Sequence, residues 1–129
     1  MAKFNNKVCI VTGGASGIGA QTAIQFAEAG GKVVIGDIND ELGKALAAKI
    51  GENAAYLHFD VSDPDACAQA VEFTVSTFGG VDYVLNSAVR MAPGWLKDLP
   101  LENWNTMVNV GLTGSFLMTQ AAGRWMIDN

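Results

Sequence analysis

Short apolar, largely β-branched runs alternate along this chain with longer segments whose apolar positions recur at helical spacing. Val8 to Thr12 is continuous and apolar, ends in Gly13-Gly14, and predicts a buried strand. From Gly17 to Gly30, Ala20, Ala23, Ile24 and Ala27 fall on one helical face, and Gly30-Gly31 supplies a stop. Lys32 to Asp37 predicts a second strand around Val33-Val34-Ile35. A second helix is expected over Asp40 to Ile50, with Leu42, Leu46 and Ile50 four apart and Gly51 at its end. Ala54 to Phe59 predicts a third strand. Ser62-Asp63-Pro64 offers a cap and a first-turn proline for a third helix. That helix would turn Ala66, Ala70, Phe73 and Thr77 inward and close at Gly79-Gly80. Val81 to Asn86 predicts a fourth strand, and residues 87–100 a loop with Pro93, Gly94 and Pro100. About Leu101 to Ile127 reads as one long helix, open to a break near Gly111.

The order βαβαβαβα with short connections predicts an α/β fold, a parallel sheet with helices on both faces. Right-handed crossovers and a glycine turn after the first strand make it a doubly wound, Rossmann-type sheet of strand order 3-2-1-4. The expected unit is a single dinucleotide-binding domain over residues 1–129. Half of the 129 residues are hydrophobic and 16% charged, which excludes disorder. With 8 Lys+Arg against 13 Asp+Glu, the net charge of -5 argues against nucleic acid and against an anionic membrane surface. No uninterrupted apolar stretch exceeds five residues, and MAKFNNKV has no apolar signal region behind its lysine, so a cytoplasmic protein is expected. With two distant cysteines, Cys9 and Cys67, and one histidine, His58, there is no zinc cluster; two buried reduced thiols are expected.

Thr12-Gly13-Gly14-Ala15-Ser16-Gly17-Ile18-Gly19 lies where the first strand hands over to the first helix. Glycines permit the tight turn and let backbone approach a pyrophosphate. The helix start offers unpaired N–H groups and the positive end of its dipole. Asp37 follows Gly19 by 18 residues, at the end of the second strand, where a carboxylate accepts hydrogen bonds from a ribose diol. The same charge repels a 2′-phosphate, Ser16 is neutral, and the turn holds no arginine; NAD is therefore expected over NADP. Standing alone, Asp37 would be a solvated acid at a strand end.

The spacing Thr-Gly-x-x-x-Gly-x-Gly resembles that of the short-chain dehydrogenase/reductase family. Asp60-Val61, after the third strand, looks like the family's adenine-contacting pair. Asn86-Ser87-Ala88-Val89 resembles its Asn-Asn-Ala-Gly motif, and Asn109 its structural and catalytic asparagine. The resemblance implies an NAD site of Thr12, Gly13, Ser16, Gly17, Ile18, Gly19, Asp37, Ile38, Asp60, Val61, Asn86, Ser87 and Ala88. It implies hydride transfer between NAD and an alcohol or ketone. Each landmark also has a plainer use: Asp60 as a turn cap, Asn86 as a turn former, Asn109 as a structural amide.

Two departures qualify this reading. The family's chemistry uses a serine and a Tyr-x-x-x-Lys pair, the lysine lowering the pKa of the general-base tyrosine. Here four residues after Tyr56 and Tyr83 stand Asp60 and Ser87, and no such pair occurs; the expected reading is a cofactor-binding half. Val89 also replaces the loop glycine, where a β-branched residue fills space near the cofactor. The fourth strand would have a bare outer edge guarded only by Asp82. The final helix carries more apolar residues than one stripe needs, and Gly111, Gly114 and Gly123 suggest close backbone approach. The family uses this helix in subunit contacts, so a homo-oligomer is expected, through the final helix or the open edge of strand 81–86. Three functions stay open: the cofactor half of an oxidoreductase, a non-catalytic NAD-binding module, or a self-associating module that has lost its ligand.

Overall fold

The computed structural model describes residues 2–129. Four strands, β1 (Val8–Thr12), β2 (Lys32–Asp37), β3 (Ala54–His58) and β4 (Tyr83–Asn86), form one sheet in the order β3-β2-β1-β4. All pairs are parallel. Helices α1 (Gly17–Glu28), α2 (Asp40–Ile50) and α3 (Pro64–Phe78) are the crossovers. The expected doubly wound sheet and strand order are present.

Alternation along the strands divides the core. Cys9, Val11, Val33 and Ile35 pack with Ala23 and Phe26 of α1 on one face. Ile10 and Val34 point the other way, into Cys67, Ala70 and Val71 of α3 and Met118 and Ala122 further on. β1 and the centre of β2 are buried on both sides, which is why they read as unbroken apolar runs.

Three helix and strand expectations need correction. Ala66, Ala70 and Phe73 of α3 pack on the core as read, joined by Cys67, Val71 and Thr74, whereas Thr77 is exposed. Thr74 is tolerated inside because its hydroxyl donates to the Ala70 carbonyl at 2.7 Å. Along α2 the buried position is Gly43, against the ring of Tyr56, and Leu46 and Ile50 pack beside it on the core. Strand β4 begins at Tyr83 rather than Val81. Asp82 does not guard its outer edge: its carboxylate accepts the Val8 amide at 2.8 Å and lies 3.6 Å from Lys7 Nζ.

The final segment is α4 (Leu101–Met107), a π-helical stretch over Val108–Thr113, and α5 (Gly114–Asp128). Dihedrals at its junctions stay right-handed helical, so the chain rewinds near Gly111 without breaking. Gly114 is buried because a Cβ there would meet Val61 Cγ2 at 2.6 Å, whereas Gly111 and Gly123 have nothing within 4 Å. Within the chain itself, close approach therefore holds for Gly114 alone of the three. Among the described residues no helix is long and apolar enough to cross a membrane.

Candidate functional site

The strand register brings the singled-out residues to one edge of the sheet. Thr12 pairs with Gly36 and Asn86, and Asp37 with His58, so the carboxyl ends of all four strands lie together. The winding reverses between β1 and β4, and in open α/β sheets ligands enter the crevice at such a point.

The glycine turn is shaped by three contacts. Gly13 has φ +62°, and a Cβ there would stand 2.7 Å from Ala88 Cα. A Cβ on Gly19 would run into the Gly13 carbonyl, so α1 starts flush against the turn. Gly17 has φ +57° and open space where a side chain would stand. The first helical bond is Ala20 N–H to the Ser16 carbonyl, which leaves Gly17, Ile18 and Gly19 amides with no acceptor in their own helix. Ser16 occupies the N-cap position, yet its hydroxyl makes no capping bond, and no acid lies in the first turn. A helix mouth with open space, unpaired amides, an uncommitted hydroxyl and no carboxylate suits a diphosphate. Ile18 stands 79% exposed beside it.

Asp37 is half-buried and bound to the same turn. Its Oδ2 accepts the Ala15 amide at 3.0 Å, and its Oδ1 accepts the Ile38 and Asn39 amides at 2.8 and 3.0 Å. Three backbone donors fix the carboxylate's orientation and, of its about four lone-pair sites, leave one open for a ribose hydroxyl. Ile38 is exposed on its outer side.

At the end of β3, exposed Asp60 accepts both the amide and the hydroxyl of Ser62, at 2.9 and 2.7 Å, and these bonds hold its pKa below the usual carboxylate value. Val61 is buried against α5. After β4, Asn86 Nδ2 donates to Thr119 Oγ1 at 3.0 Å. The Ser87 and Ala88 amides donate to Thr12 Oγ1 at 3.2 and 3.3 Å. Thr12 is 1% exposed, so its hydroxyl ties the loop after β4 to β1. Val89 points into solvent, 65% exposed. Asn109 is exposed in the π-helical stretch, and its carbonyl accepts the Gly114 amide.

The sequence reading missed one cluster. Tyr56 Oη lies 2.9 Å from the Asp37 carbonyl oxygen and 2.6 Å from Asp40 Oδ1, which also lies 2.7 Å from His58 Nδ1. Burial first, and Asp40 second, push the Tyr56 phenol up, the opposite of what a tyrosine base needs. The Tyr56-x-His58 alternation on one strand face was the available signal.

The family profile for short chain dehydrogenases matches residues 7–129, and the chain belongs to that family. It is 43% identical over 123 residues to a 2,5-dichloro-2,5-cyclohexadiene-1,4-diol dehydrogenase of Sphingobium indicum, covering 93% of this chain and 49% of that protein. It is 41% identical over 130 residues to a 3-alpha-(or 20-beta)-hydroxysteroid dehydrogenase of Mycobacterium tuberculosis, covering 95% and 50%. A crystal structure of a short-chain dehydrogenase/reductase, glucose/ribitol dehydrogenase, from Brucella melitensis superposes with a TM-score of 0.91 at 27% identity, over 95% of this chain and 51% of that one. The chain spans about half the length of the curated relatives it matches.

Proposed function

We propose that residues 1–129 form the dinucleotide-binding unit of an oxidoreductase that moves hydride between NAD and an alcohol or ketone. The carrying observation is the helix mouth of α1 with Asp37 anchored on the same turn by the Ala15 amide. The amides of Gly17, Ile18 and Gly19 and the Ser16 hydroxyl hold the diphosphate. Asp37 accepts a hydroxyl of the adenosine ribose, and its charge disfavours a 2′-phosphate. Ile38, Asp60 and Val61 border the adenine, Asn86, Ser87 and Ala88 line the crevice beyond it, and Thr12 and Gly13 keep that crevice in shape. When bound, the nicotinamide supplies the hydride acceptor.

A second reading, of binding without turnover, is favoured by the tyrosines present. Neither Tyr56 nor Tyr83 has a lysine four residues on, and Asn109 has no such partner within these residues. On this reading the 129-residue chain binds NAD, makes no NADH from simple alcohols, and associates with itself. Calorimetric titration with NAD tests the site: binding is expected, and Asp37→Ala should weaken it at least tenfold, the loss of a charge-assisted hydrogen bond. Equal affinity in the variant refutes the ribose placement.

A further inference from the structure

Tyr56, Asp40 and His58 lie outside the residues assigned to the cofactor, yet they converge on the backbone that presents Asp37. Tyr56 and His58 alternate along β3, opposite Ile35 and Asp37 of β2. The Tyr56 ring fills the space beneath Gly43, where a Cβ would run into ring carbons, so the ring packs directly on α2. Its hydroxyl sits between the Asp37 carbonyl at 2.9 Å and Asp40 Oδ1 at 2.6 Å. One proton serves two acceptors, so what Asp40 does with its charge decides how the hydroxyl treats Asp37. His58 bears on the same oxygen. At 2.7 Å its Nδ1 must carry a proton, as imidazolium or as the Nδ1–H tautomer.

We infer that Tyr56, Asp40 and His58 are positioning residues that set the ribose-accepting turn, and that His58, by charging, tightens it. This rests on the ribose assignment above. An imidazolium on Asp40 Oδ1 draws off carboxylate charge and turns the Tyr56 proton toward the Asp37 carbonyl. Residue 37 is then held at its backbone by Tyr56 and at its carboxylate by Ala15, Ile38 and Asn39. The charged groups beside His58 are Asp40 from α2, Asp37 as its strand partner on β2, and Asp60 after β3; Lys44 and Arg90 lie beyond them, next to Asp40 and Asp60 respectively. Imidazole changes charge between about pH 5 and 8. Burial raises both thiols well above that interval, so no cysteine shares it.

The test is calorimetric titration of the 129-residue chain with ADP-ribose from about pH 5.5 to 8.5. The pair is exposed, and such pairs shift an equilibrium by at most about fivefold. Wild-type affinity should fall about two- to fivefold as pH rises, and His58→Gln should abolish the slope. Tyr56→Phe keeps the His58–Asp40 pair but removes the link to Asp37, so it too should titrate flat. A slope that survives Tyr56→Phe means His58 acts directly on the ligand's phosphates and overturns the proposal. A slope that survives His58→Gln, or a flat wild-type profile with clear binding, also overturns it while leaving the ribose site standing. Absence of heat at every pH overturns the ribose reading and this proposal together. Circular dichroism at each pH confirms that the variants stay folded.

Discussion

Gly13 and Gly17 both adopt left-handed backbone, but a methyl group on each meets a different fate. On Gly13 it would press on Ala88 and Ser87 backbone at 2.7 to 2.9 Å, atoms that cannot turn away. Gly13→Ala should therefore cost about 2–3 kcal/mol, left-handed strain plus overpacking, read as a lowered urea midpoint. On Gly17 the methyl meets nothing, so Gly17→Ala should cost only about 1 kcal/mol of stability. It would stand before the α1 amides, so NAD affinity should suffer more than stability does. If both variants lose the same stability, the different surroundings of the two glycines count for nothing. Cys9 and Cys67 are free and buried as the apolar flanks of Cys9 foretold, and burial pushes their thiols up to about 12 and about 11. Both should resist a disulfide reagent at neutral pH until denaturant is added. Asp40, through Tyr56 and then His58, and Asp60, through Ser62, titrate below the usual carboxylate value. Each binds fewer protons folded than unfolded. Their stabilisation is present above the unfolded pKa, about 4, and is lost as pH falls through the depressed folded values. The melting temperature should drop on acidification below about pH 4, and less steeply in Asp40→Asn.

Elements were legible where one signal dominated. β1 and β2 are buried on both faces, so composition alone marks them, and the cap at Asp63 and the stops at Gly51 and Gly79 mark the ends of α2 and α3. The glycine turn was legible because its glycines answer to local backbone geometry. What sequence could not give depends on partners across the fold. The inward face of α3 takes in Thr74 as well, because its hydroxyl is satisfied within its own helix, which no hydropathy pattern records. Asp37 could be read as an acid near a ribose, but its bond to Ala15 joins residues 22 apart in sequence. The π-helical stretch leaves no signature, since Val108 to Thr113 reads like any apolar helix. It changes which residues face inward, delivering Gly114 onto Val61 while α4 carries its apolar side outward. Gly114→Val should destabilise by about 2–4 kcal/mol, since Val61 Cγ2 and Cβ already stand 2.6 and 3.0 Å from the first added atom. Gly123→Ala, with open space in a helix, should be neutral or stabilise by up to about 1 kcal/mol. Chemical denaturation of the pair decides whether Gly114 is kept for packing.

Taken whole, the chain exposes more surface than its mass calls for. A folded monomer of 13.5 kDa is expected to present about 6,500 Å², whereas this chain presents 7643 Å². The difference, about 1,100 Å², is comparable to one partner's share of an ordinary protein interface, about 800 Å². It has a location. Leu101, Trp104, Leu112 and Phe116 are 72%, 52%, 71% and 60% exposed along one side of the long helix, opposite the Met118 and Ala122 face that meets the sheet. Trp95 and Leu96, 78% and 84% exposed, extend the apolar area into the preceding loop. β4 adds an open edge, since Asp82 is turned inward to Val8. Two apolar regions compete for the same result, self-association, and they can be separated. Burying Trp104 and Phe116 between copies stabilises by roughly 1.5–3 kcal/mol per fully buried side chain. Trp104→Glu with Phe116→Glu should therefore turn an associated 129-residue chain at micromolar concentration into a monomer by sedimentation equilibrium. Association through the β4 edge would be indifferent to those changes but would fail in Val84→Pro, since the Leu85 backbone faces β1 and its neighbour's amide lies on the open side of the strand. A wild-type chain that sediments as a monomer would show that neither region attracts a second copy, and that the excess area is tolerated in water.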